Sequence, residues 1–100
     1  MDTRLDDLLR EHLADPFLPS ITKGEDYGEI EPVMIDADIY GWASRVAKGG
    51  RLGVVERPGL TQARDSLVRS LHEIPPEARS YYERLVAIAD EAIASETAHR

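Results

Sequence analysis

Apolar residues recur with a helical period in four stretches of the chain. Leu5, Leu8, Leu9, His12 and Leu13 follow one another at the spacing of a 3.6-residue turn, which lays them along one stripe of a helix. Thr3 with Asp6 resembles a capping box, aspartate standing in for the usual glutamate. Asp6 and Arg10 sit at i,i+4 on the flank. Asp15-Pro16 ends the element, because a residue before proline is pushed out of the helical region.

Ile35, Ile39, Trp42 and Val46 form a second stripe within about 60° of one another, with Asp36 or Asp38 as N-cap and Gly49-Gly50 as the stop. Thr61 is expected to cap a third helix whose stripe is Leu60, Ala63, Leu67, Leu71 and Ile74. Pro75-Pro76 closes it, and Pro76 also suits the first turn of a last helix over about 76–97. That helix has two apolar edges, Tyr81, Leu85, Ile88 and Ala92 on one and Tyr82, Val86 and Ile93 on the other. A face that wide touches two neighbours within the fold, or its second edge meets another copy of the chain.

The stretch from about 14 to 34 has no period. Pro16, Pro19, Gly24, Gly28 and Pro32 punctuate it, while Phe17, Leu18, Ile21, Tyr27 and Ile30 offer anchors to a core. A connection this long is unusual inside a compact domain. Glu29–Ile35 reads as a short edge strand, where Pro32 is tolerated. Leu52–Glu56 reads as a turn or a second short strand. The expected fold is mainly α: one four-helix domain over residues 1–100, with up to two short β strands and a long acidic connection.

One hundred residues, 42% hydrophobic and 31% charged, fit one globular domain. With no cysteine, disulfides and thiolate zinc sites are excluded. The charged opening Met1–Asp7 and the short apolar runs lead us to expect no signal peptide, no membrane span and a cytoplasmic location. Ten arginines against two lysines fit a GC-rich bacterial genome.

The formal charge of −7 is unevenly spread. Residues 1–40 carry eleven acids and three bases, whereas 41–69 carry six bases (Arg45, Lys48, Arg51, Arg57, Arg64 and Arg69) against Glu56 and Asp65. An acidic front is thus joined to a basic middle, an argument about partners rather than fold. Asp65 and Arg69 form an expected i,i+4 pair.

Chemical motifs are sparse. Asp36-Ala37-Asp38-Ile39-Tyr40-Gly41 resembles the start of a calcium loop, but its twelfth position is Lys48 rather than glutamate. Lys48–Gly53 is rich in glycine and base, yet it follows a helix C-terminus, where the dipole repels phosphate. His12 falls on an apolar stripe and reads as a partly buried histidine with one hydrogen-bond partner; a pH sensor or catalytic base is the alternative. His72 sits by a helix end beside Glu73, and His99 near the chain terminus.

The expectation is therefore a small acidic, non-catalytic binding module: a regulator, adaptor or inhibitor-like protein that engages a basic protein surface. Glu25, Asp26, Tyr27, Glu29, Glu31 and Tyr40 are the candidate partner-binding residues. No catalytic residue, metal or cofactor is expected. Nucleic-acid association through residues 45–69 is the alternative, and a homodimer through Tyr82, Val86 and Ile93 is compatible with either.

Overall fold

A computed structural model describes residues 3–15 and 24–98. The anchors Phe17, Leu18 and Ile21 of the connection, its Pro16 and Pro19, and His99 lie outside the described residues. The regular elements are α1 (Thr3–Ala14), α2 (Pro32–Ala47), α3 (Glu56–Ser70), a 3₁₀ turn (Leu71–Glu73) and α4 (Pro76–Ala98). The mainly helical reading holds. α2 and α4 pack against each other and each touches both remaining helices, whereas α1 and α3 do not touch. The core runs along this central pair: Ile39 and Ala43 from α2 and Leu85, Ile88 and Ala92 from α4 belong to one buried cluster, joined by Leu5 from α1 and Leu67 from α3.

Neither expected strand forms among the described residues. At 29–35 the chain makes only an isolated bridge between Tyr27 and Ile30, and α2 begins at Pro32 rather than near Ile35. Proline in the first helical turn loses no hydrogen bond. Glu31, not Asp36 or Asp38, is the N-cap, its Oε2 accepting from the Met34 amide at 2.8 Å. At 52–56 the strand is pre-empted by α3, which starts five residues before the expected Thr61 cap. Glu56 turns back so that its Oε1 accepts from the Gly53 amide at 2.6 Å. Pro58 sits within the first turn of α3, where its missing N–H is not needed. Thr61 lies inside the helix, its hydroxyl donating to the Arg57 carbonyl.

Both apolar edges of α4 are used within the fold. Tyr82 is buried, and its hydroxyl donates to the Pro32 carbonyl at 3.3 Å, which withdraws it from the expected dimer face. Val86 and Ile93 are half-buried against the core. Leu13, expected on the α1 stripe, is 73% exposed. Among the described residues no helix is long and apolar enough to cross a membrane.

The turn that delivers the chain into α2 depends on Gly28. Its φ is +63°, and a Cβ there would stand 2.8 Å from Ser70 Oγ. The Glu29 amide donates to the same Ser70 hydroxyl at 2.9 Å, so the turn docks on the end of α3 at close range.

A candidate binding cleft where three helices meet

His12 in the last turn of α1 is 4% exposed. Its Nε2 is 2.6 Å from Asp36 Oδ1 in the first turns of α2, and the Tyr81 hydroxyl of α4 donates to Asp36 Oδ2 at 2.6 Å. One carboxylate thus ties three helices together. The other ring nitrogen of His12 is Nδ1. That atom is buried and has no hydrogen-bond partner among the described residues. The His12 ring lies 4.2 Å from the Tyr81 ring and 6.1 Å from that of Tyr40, centroid to centroid. Burial, then the hydrogen bond to Asp36, push the Tyr81 hydroxyl well above its ordinary pKa, so it stays a donor. The histidine has the one expected partner, Asp36, and is buried more completely than the expected partial burial.

These groups border an open cleft of about 380 Å³. Leu13, Val33 and Ala37 supply its apolar wall, Tyr40 and Tyr81 its aromatic surface, and Asp15 and Asp36 its carboxylates. Asp15 accepts a hydrogen bond from Arg84, whose guanidinium lies over the Tyr81 ring at 5.6 Å from the centroid.

The six candidate partner-binding residues do not form one site. Glu25 and Asp26 are exposed, while Tyr27 packs partly against the core. Glu29 is taken up by Arg69, whose Nε and Nη2 both donate to it at 2.8 Å. This hydrogen-bonded guanidinium holds its carboxyl below the usual range. Glu31 is the helix cap, and amide donation from Met34 and then Gly24 lowers it likewise. Only Tyr40 reaches the cleft. His12, Asp36, Tyr81 and Arg84 were not legible as a group. The one sequence signal was a histidine on an apolar stripe, since a buried imidazole demands a polar partner.

Four of the six bases of the basic middle are also committed to internal contacts. Arg45 bonds Glu56 at 2.9 Å, Arg57 bonds the buried Glu96 at 3.0 Å, and Arg64 bonds Asp90 at 2.7 Å. Arg69 takes Glu29 instead of the expected Asp65, because a fork-shaped bidentate pair outcompetes a single bond along the helix. Asp65 pairs with Arg64 at 3.2 Å. On α1, Arg10 similarly pairs with Asp7, not Asp6.

Asp36–Gly41 lies within α2, so no calcium loop forms. Among the described residues no group of three His, Asp or Glu side chains is placed to hold a metal. Comparison of the chain with protein-family models, curated proteins and solved structures finds no match in any of the three.

Proposed function

We propose that the protein is a small acidic binding module, a regulator, adaptor or inhibitor-like protein, that engages a basic segment of a protein partner. The observation that carries this reading is the disposition of charge. Arg45, Arg57, Arg64 and Arg69 are paired with carboxylates of their own chain. Exposed Glu11, Glu25, Asp26 and Asp38 have no such partner among the described residues. A polyanion must compete with four internal pairs to reach the basic segment, whereas a basic partner meets carboxylates with no internal pair to break. Such complementarity steers encounter and selects partners. Binding rather than catalysis is favoured because His12 Nδ1 is closed to solvent, out of reach of a substrate proton.

The test is fluorescence anisotropy of the full chain with a labelled arginine- and lysine-rich peptide, its glutamate-substituted counterpart and a labelled DNA duplex, across salt concentration. The basic peptide is expected to bind alone, more weakly as salt rises. Glu11→Lys, Glu25→Lys, Asp26→Lys and Asp38→Lys together should abolish binding without altering the circular dichroism spectrum. Glu29 and Glu31 are left intact because they hold the fold. Preferential DNA binding, or peptide binding unmoved by the four reversals, would overturn the reading.

A further inference from the structure

Arg84 is seated at the cleft in a way that an arginine of another chain can reproduce. Its Nη2 donates to Asp15, its guanidinium lies over Tyr81, and its side chain is only 19% exposed. The seating is incomplete, however. A guanidinium can close a two-bond fork on a carboxylate, as Arg69 does on Glu29, yet Arg84 makes one such bond to Asp15. Its Nε is buried with no partner among the described residues, and a desolvated donor left unpaired is costly. A site with two carboxylates, two aromatic rings and the unmet Arg84 Nε is only partly satisfied by the chain's own arginine.

We propose that Arg84 is an internal stand-in for an arginine of the basic partner segment, and that the cleft is the site this arginine enters. The proposal rests on the binding-module reading and names the group that is recognised. The incoming guanidinium takes the Asp15 carboxylate from Arg84. Its apolar stem lies against Leu13 and Val33, and its plane meets the Tyr40 face. Arg84 then turns outward, where water satisfies its Nε. Arginine suits the site better than lysine because a planar, weakly hydrated cation both forks to carboxylate and stacks on aromatic rings. The two carboxylates of the cleft, Asp15 and Asp36, with Glu11 and Asp38 on the neighbouring turns, complement a cation. Arg84 lowers the apparent affinity by the fraction of time it holds the site, a brake that its removal releases.

The experiment is a nuclear magnetic resonance titration of the isotope-labelled full chain with a glycine- and serine-rich peptide carrying a single arginine. The same peptide with citrulline in place of arginine is the neutral control. The arginine peptide is expected to move amide resonances of 12–15 and 33–40, and the citrulline peptide to leave them in place. Arg84→Gln should tighten binding about tenfold. Asp15→Asn, with the fold checked by its amide spectrum, should weaken binding and cancel the gain from Arg84→Gln. Unchanged or weaker binding by a folded Arg84→Gln protein would overturn the proposal, as would equal binding of the citrulline peptide. Shifts centred on Glu25 and Asp26 would remove the cleft as the site while leaving the module reading intact. If the arginine- and lysine-rich peptide of the preceding section also fails to bind, both fall.

Discussion

Arg69 and Glu29 meet in a two-pronged ion pair, each nitrogen of the fork 2.8 Å from its own carboxylate oxygen. The partners are 40 residues apart and belong to the basic middle and the acidic front, respectively. Their pairing pins the turn before α2 onto the end of α3. It also cancels charge that would otherwise be offered to two opposite kinds of partner. Glu29→Gln and Arg69→Gln should each lower the urea midpoint, and the double variant should lie no lower than the more damaging single one. Strict additivity in that cycle would show that the pair is not coupled in solution.

Acid should weaken the fold through carboxylates with known partners. Glu29, Glu31 and Glu56 are each held below the ordinary 4.5, by the Arg69 fork, the Met34 amide and Arg45 respectively. A folded-state pKa below the unfolded one means that the unfolded chain takes up the proton first. Their contribution is therefore complete above the ordinary glutamate pKa and is lost as pH falls through the lowered values. Urea midpoints should hold between about pH 7 and about pH 5 and decline below that. Glu31→Gln should make the acid decline shallower, a difference visible in parallel titrations of the two proteins.

The three-helix junction distinguishes two substitutions at one position. His12→Gln keeps a donor near the place of Nε2, whereas His12→Leu leaves Asp36 bonded to Tyr81 alone. Loss of a hydrogen bond to a charged group costs about 1.5–3 kcal/mol. The leucine variant should show most of that loss in chemical unfolding, and the glutamine variant a smaller part. Equal losses would mean that packing of the ring, rather than its bond to Asp36, is what matters at this position.

Gly28→Ala should destabilise the protein by more than about 1 kcal/mol, because alanine resists the positive φ and its Cβ collides with Ser70. Gly24→Ala offers the matched control. Its φ is +81° but nothing lies within 4 Å of the added carbon, so the difference between the two variants isolates the close approach to Ser70. Thermal midpoints measured side by side make the comparison.

Helix number and helix faces were legible because burial on a helix imposes a period, and the stripes of α1 through α4 carry it. The start of α2 was not. Pro32 is compatible with an edge strand and with a helical first turn, and only the capping contact of Glu31 with Met34 decides between them. The same ambiguity delayed α3, since Thr61 looks like a cap from its neighbours although Glu56 and Gly53 already close the turn. The candidate site was read mainly from the density of acids, and acid density does not say which acids are already bonded.

The residue pattern alone determined a mainly helical chain, the stripes that face the core, and an acidic front followed by a basic middle. Tertiary structure decided which of those charges are paired within the chain. It paired Arg69 with Glu29, set Asp36 between His12 and Tyr81, and joined Arg84 to Asp15. Each contact joins residues at least 24 positions apart. Local periodicity is a statement about neighbours within a few turns, and it carries no information about which side chains meet across helices.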